Sequence, residues 1–288
     1  MLCRKWIVLT KTVQPFISEA SLLRPNFLER SAWLEHAPFA FWLVEQLQPR
    51  TIVELGTQGG FSYFCFCQVT RWLSLECETY AIDHWCGDEH AGFNEDDVYH
   101  KVQAYNQENF SDFSTLIRST FDEALQHFND GSIDLLHIDG RHFFEDVKKD
   151  FENWREKCSD KSVILFHDTN VRDRSFGVYR LWEQLEHRYP TFKFDHCFGL
   201  GVLGLGSNLP KRVQMLFEER YNPNIAERVQ LVYGNLGQRI TEKLQYEERV
   251  HQQESRISEL EKEQCYWKRH FEYLLDQYSE EKMNPGDY

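Results

Sequence analysis

An acid and an imidazole three residues apart, Asp139 and His142, follow an apolar run that embeds His137. A second apolar run ends in His167-Asp168. Imidazole is the side chain best matched to taking a proton near neutral pH. Two carboxylates brought together can share a divalent cation, and magnesium and manganese prefer oxygen ligands. Taken singly, each residue has a plainer account: His137 as a satisfied core histidine, Asp168 as a turn cap, His167 as a packing residue. Aligned on successive strand ends of one sheet, Asp139, His142, His167 and Asp168 read together as a site.

The segment from Thr51 to Ser62, Thr-Ile-Val-Glu-Leu-Gly-Thr-Gln-Gly-Gly-Phe-Ser, is a short apolar run, a glycine-bearing turn and the opening of a helix. That is the layout of a nucleoside-binding βα turn. Gly56 with Gly59 or Gly60 lets the backbone turn tightly and approach a ligand, since glycine tolerates positive φ and has no Cβ. Thr57 and Ser62 belong to the same turn, and the helix N-terminus beyond offers free N–H groups. Asp83 closes the next strand, where an acid can accept both ribose hydroxyls. Ser119, Thr120 and Phe121 follow the third strand, where an adenine would lie; Ser119 or Thr120 equally reads as a helix N-cap. The pattern E-x-G-x-x-G has Glu54 where the dinucleotide fingerprint has its first glycine, which favours S-adenosylmethionine over NAD. Glu54 then organises the turn or meets the cofactor's amino group.

These residues need elements to position them. Strand-like runs at 51–55, 79–83, 114–118, 133–139, 162–167, 192–194 and 202–205 alternate with helix-like stretches at 61–73, 97–110, 121–128, 144–158 and 176–188. That rhythm predicts an α/β fold, a mostly parallel sheet covered on both faces, with ligands beyond the C-terminal strand ends. Apolar residues over 25–48 predict helices packed on the sheet, whereas 1–25 reads as a surface extension. Between 238 and 284 there is no Gly or Pro, and Val250, Ile257, Leu260, Gln264, Trp267, Phe271, Leu274 and Tyr278 recur in steps of three and four. This is a heptad seam with one polar insert, predicting a coiled-coil helix and a homo-oligomer. The expected organisation is a 1–25 extension, a 26–210 catalytic domain, a 211–237 connection and the 238–284 helix.

Composition narrows the partners. A net charge of -14 argues against nucleic acid, whose phosphates need a basic surface. Eight scattered cysteines without a C-x-x-C pair read as reduced thiols. No run approaches the ~20 apolar residues of a membrane span. The expectation is a soluble cytoplasmic protein.

Together the segments beginning at His36 (His-Ala-Pro-Phe-Ala), Val53 (Val-Glu-Leu-Gly-Thr), Ile82 (82–92), Ile133 (133–140), Leu165 (165–170), Phe176 (Phe-Gly-Val) and Gly199 (199–202) resemble the class I S-adenosylmethionine-dependent methyltransferases. More narrowly they resemble the branch associated with bacterial glycosyltransferases and related to macrolide-sugar O-methyltransferases. The resemblance covers roughly 30–205. It implies a Rossmann-like seven-stranded sheet with helices on both faces, and O-methyl transfer to a hydroxyl of a sugar, in a cell-surface glycan or glycosylated metabolite. A glycosyltransferase partner comes with it. In the macrolide-sugar relatives an Asp-x-x-His element supplies a metal ligand and a base, which here falls on Asp139 and His142. Their fifth strand ends in two acids that bind magnesium; here the pair is His167-Asp168, with nitrogen in place of one oxygen. Two other functions fit: a phenol as acceptor, and a non-catalytic cofactor-binding scaffold that assembles a glycan-synthesis complex through its coiled coil.

Overall fold

The computed structural model describes residues 13–88, 92–93, 96–173 and 175–283. Residues 1–12 of the expected extension, residue 284 of the expected tail helix, and Glu89, His90 and Ala91 of the segment 82–92 lie outside them.

Seven strands form one sheet: β1 (Thr51–Leu55), β2 (Glu78–Asp83), β5 (Ser114–Arg118), β6 (Ile133–Ile138), β7 (Cys158–His167), β8 (Thr191–Phe194) and β9 (Leu200–Gly204). Their spatial order is β5-β2-β1-β6-β7-β9-β8. The first five are mutually parallel, and β9 runs antiparallel between β7 and β8. This is the mostly parallel sheet that the alternation of strands and helices predicts, and it is Rossmann-like with the seven strands that the resemblance implies. A small antiparallel hairpin, β3 (Gly87–Asp88) with β4 (Gly92–Phe93), has no counterpart in the sequence reading.

Among the described residues the α-helices are α1 (Ala37–Leu47), α2 (Phe61–Trp72), α3 (Asp96–Asn109), α4 (Phe121–Ala124), α5 (Phe144–Trp154), α6 (Val178–Leu185), α7 (Lys211–Glu218) and α8 (Pro223–Met283). Strand alternation sends Ala81 into a core cluster with Tyr63, Phe64 and Val102, and Ile82 into another with Val147, Phe151 and Leu181. The sheet is therefore covered on both faces. Helix α6 buries Val178, Leu181, Trp182 and Leu185, an i, i+3, i+4, i+7 stripe. Each such side chain contributes roughly 1.5–3 kcal/mol on burial.

Two segments depart from expectation. Within the described part of 1–25, Val13, Phe16, Ala20 and Ser21 are buried, and the Tyr233 hydroxyl donates to the Phe16 carbonyl. The 211–237 segment is helical, and the last helix begins at Pro223 rather than near 238. Gly234 and Gly237 stand in this first part of the helix, beside the buried Val229 and Tyr233, so a helix bounded by the absence of Gly and Pro begins too late.

The chain divides into two compact units, Met1–Thr241 and Glu242–Tyr288. The described part of the second is helical, with Ile257, Leu260, Trp267, Phe271 and Leu274 all exposed. It carries i, i+3 and i, i+4 ion pairs, Arg256–Glu259 at 3.0 Å and Lys243–Glu247 at 3.4 Å. The Tyr278 side chain lies outside the described ones. Among the described residues no helix is long and apolar enough to cross a membrane.

Candidate functional site

The C-terminal ends of the parallel strands open into a cavity of about 960 Å³. Ligand pockets span ~300–1,000 Å³, so this one has room for a cofactor and an acceptor together.

At one end lies the glycine turn. Gly56 adopts φ +88° and its N–H donates to the Ile82 carbonyl at 2.9 Å, tying the end of β1 to β2. A Cβ at Gly56 would sit 2.1 Å from the Asp139 carbonyl oxygen, so only glycine allows the turn to pass so close to β6. Gly60, also at φ +88°, caps α2. Asp83 accepts from the backbone N–H of Gln58 at 2.8 Å and of Trp85 at 2.7 Å. Each carboxylate oxygen keeps a second acceptor position. Thr120 is the N-cap of α4, in a capping box with Glu123, and it also lines the cavity.

At the other end four side chains meet. The β6–β7 register pairs Ile138 with Phe166, so the next residues, Asp139 and His167, emerge side by side. His167 Nδ1 lies 3.4 Å from Asp139 Oδ1 and 3.3 Å from Asp168 Oδ1. His142 Nε2 lies 3.4 Å from Asp139 Oδ1 and 3.0 Å from Asp168 Oδ2. Asp168 turns its carboxylate inward from a left-handed backbone, φ +61°. Phe176 stacks on the His142 ring at 4.7 Å and 12°. His167 Nε2 donates to the Cys197 carbonyl at 3.2 Å, which leaves Nδ1 as the nitrogen facing the acids. A metal-binding histidine is ordinarily held this way, by its other N–H. Donor atoms of Asp139, His142 and Asp168 lie within 4.8 Å of one another, a spacing that admits one divalent cation.

The electrostatics follow from this packing. Burial opposes charge on His142, but the carboxylates of Asp139 and Asp168 outweigh it and raise the imidazole to about 10. His167 is raised in the same way, against its burial, chiefly by Asp139. Asp139 is held below the usual carboxylate range despite burial, with His167 the main cause and His142 next. Carboxylates and imidazoles in the cluster thus favour each other's charged forms. Away from it on the cavity wall, burial and then Asp146 and Asp122 raise Asp150 to about 7, a residue with no sequence signal of its own.

The cavity brings together most of the expected residues: Gly56, Thr57, Gly59, Ser62 and Asp83 at one end, Asp139, His142, His167 and Asp168 at the other. Glu54 and Ser119 are not on its wall. Glu54 is fully buried beneath the turn, its Oε2 bonded to His137 Nδ1 at 2.8 Å. In the folded chain it is the partner of the core histidine. The sequence reading missed this because the acid and the histidine stand 83 positions apart. The Ser119 hydroxyl donates to the Thr120 carbonyl at 3.0 Å, while Thr120 and Phe121 take the wall position. Phe198, more than half exposed, also lines the cavity and was not anticipated.

Residues 53–169 match the family described as a methyltransferase domain. An uncharacterized protein of Sinorhizobium fredii is 50% identical over 201 residues, 69% of this chain and 22% of that protein. The chain thus spans about a fifth of the length of that relative. Among solved structures, the O-methyltransferase TomG of Streptomyces achromogenes, in complex with S-adenosylmethionine, is 15% identical with a TM-score of 0.46, covering 69% of this chain and 89% of that one. An O-methyltransferase of Bacillus cereus, in complex with S-adenosylhomocysteine, is 15% identical with a TM-score of 0.45, covering 69% and 90%. Residues 53–169, which carry five parallel strands of the sheet described above, are thus similar to a methyltransferase domain.

Proposed function

We propose that the chain transfers a methyl group from S-adenosylmethionine to a hydroxyl, that of a sugar in a glycan or glycosylated metabolite. One observation carries this reading: the glycine turn with Asp83, and the Asp139–His142–His167–Asp168 cluster, face a single cavity. The first suits a nucleoside and the second a proton transfer. In the reaction the acceptor oxygen bonds the methyl carbon, the carbon–sulfur bond breaks, and the sulfonium leaves as a thioether. The protein's main task is to hold oxygen, carbon and sulfur in line. The hydroxyl proton passes to His142 Nε2. Since two carboxylates hold that ring protonated in the chain alone, His142 serves as base only when Asp139 and Asp168 are engaged elsewhere. Asp139 and Asp168, which group with His142 as possible cation donors and lie 3.4 and 3.3 Å from His167 Nδ1, would hold a divalent cation with His167 as a further donor, and that mixed carboxylate and imidazole character suits manganese at least as well as magnesium. Such a cation would lower the hydroxyl's pKa and orient it.

Calorimetry with S-adenosylhomocysteine tests the cofactor half. Asp83→Ala should weaken binding by at least about tenfold, charge-assisted hydrogen bonds being worth ~1.5–3 kcal/mol, with circular dichroism unchanged. Undiminished affinity would remove Asp83 from the ribose site. Incubation with labelled cofactor and extracted cell-surface glycans tests the acceptor half. Cofactor binding with no transfer to any hydroxyl would favour the scaffold reading.

The same reading places the protein in a reducing cytoplasm, beside a glycosyltransferase that acts on the same glycan. We also propose that the exposed stripe of the second unit pairs with a second copy. A chain ending at Thr241 should then show by light scattering a loss of mass per particle larger than the tail itself. The cut belongs there because Ile240 is buried and Thr241 Oγ1 donates to Glu35 at 3.1 Å. Particle masses that differ only by the tail's own mass would exclude pairing through it.

A further inference from the structure

Three consecutive residues, Cys197 (φ +45°), Phe198 (φ +68°) and Gly199 (φ +92°), occupy the left-handed backbone region. Only the last is glycine, and the other two carry side chains that resist it. The loop holds this shape because its surroundings over-determine it. Two buried imidazoles, His36 and His167, both donate Nε2–H to the Cys197 carbonyl, each at 3.2 Å. The Phe198 carbonyl accepts from the Asn170 N–H at 2.8 Å, and Asn170 Nδ2 donates to the Asp195 carbonyl at 3.0 Å. Gly199 lies so close to the end of β7 that a Cβ there would come within 2.6 Å of Thr169 Oγ1.

All this fixes a backbone whose central side chain is not packed. Phe198 is 57% exposed and lines the cavity, one residue after the carbonyl that orients His167. The other aromatic rings of the wall are engaged. Trp33 and Phe61 are buried. Phe176 lies against His142. Phe121 packs beside Gly140, towards the glycine-turn end. Phe198 is thus the large apolar side chain on this wall that stands out in the open space. A rigid loop that presents an open aromatic face beside a proton-transfer cluster has a use in binding and none in folding.

We infer that Phe198 is the platform on which the acceptor's ring lies, and so a specificity-determining residue. The platform offers one apolar face, and the cluster lining the same cavity offers carboxylates and imidazoles. A ring with one C–H face and several hydroxyls matches that pairing. The inference rests on the acceptor being a ring alcohol, as proposed above.

The test uses the full chain loaded with S-adenosylhomocysteine, in saturation-transfer difference NMR. The probes are methyl hexopyranosides, methyl 6-deoxyhexopyranosides and catechol. Wild type and Phe198→Trp should saturate the ring protons of a pyranoside probe, and Phe198→Ala should do so at least about fivefold less, with cofactor affinity equal in all three. The same loss seen with catechol supports the platform and moves the acceptor to a phenol. Equal signals in wild type and Phe198→Ala, or no signal from any probe, overturn the platform. So does a loss of cofactor affinity in Phe198→Ala, which would make the ring a structural support. Failure of wild type to bind S-adenosylhomocysteine is a separate result, and it refutes the methyltransfer reading instead.

Discussion

His142→Ala should lower turnover by roughly 10²–10⁴-fold while leaving S-adenosylhomocysteine affinity within a small factor. The ring is the part of residue 142 that enters the cluster, with Nε2 at 3.0 Å from Asp168. The backbone of residue 142 has its own task, accepting from the Gly177 N–H at 2.7 Å, and alanine keeps that. The fold around α6 should therefore survive the substitution. Cofactor affinity should survive too, because the bonds that shape the glycine turn and Asp83, from Gly56 to Ile82 and from Gln58 and Trp85 to Asp83, do not involve His142. Base and metal-ligand roles separate by titrating manganese into the variant. Activity restored at high manganese marks His142 as a ligand, and activity that stays lost marks it as the base. Near-normal turnover at neutral pH without added metal would exclude both.

Gly56→Ala should cost about 2–4 kcal/mol of stability and abolish cofactor binding. Two effects add. The backbone there is at φ +88°, and the new Cβ would meet the Asp139 carbonyl oxygen at 2.1 Å and its carbon at 2.6 Å. Those neighbours are main chain and cannot swing aside. The end of β6 would have to move, carrying Asp139 away from His142 and straining the 2.9 Å bond from the Asp139 N–H to the Leu55 carbonyl. Gly59→Ala is the internal control. A Cβ at Gly59 meets nothing within 4 Å, so its stability cost should stay near the ~0.5 kcal/mol of ordinary surface changes. Thermal unfolding and calorimetry on both variants decide. If Gly56→Ala melts like Gly59→Ala, the close approach of β1 to β6 is wrong.

The strands were the most legible part of the chain. Buried parallel strands are short apolar runs bounded by polar turns, and five residues of β1 and of β5 read off with their limits unchanged. The cluster was legible for the same reason: parallel strands in register end side by side, so residues after two apolar runs meet. What failed was whatever depends on side-chain direction. Glu54 has the sequence position of a ligand contact, but its carboxylate meets the His137 ring beside it on the same face of the sheet. Ser119 yields the wall to Thr120, since the N-cap of α4 turns that side chain inward. The loop around Phe198 left no trace, because left-handed non-glycine residues have no periodicity. Its anchor on His36 joins positions 161 apart.

The Glu54–His137 pair has a consequence for how the chain assembles its centre. The two residues are direct register partners on adjacent parallel strands, and both are wholly enclosed. Sliding β1 past β6 by one residue would turn each side chain to the opposite face of the sheet. It would also strand a carboxylate and an imidazole apart from each other in apolar surroundings, an outcome worse than any loss of packing. Two leucines in their place would fill the same space but would tolerate the slip. The pair thus acts as a key between the two innermost strands. Alignments that part the two residues are disfavoured, and the one that joins them carries Gly56 up against Asp139.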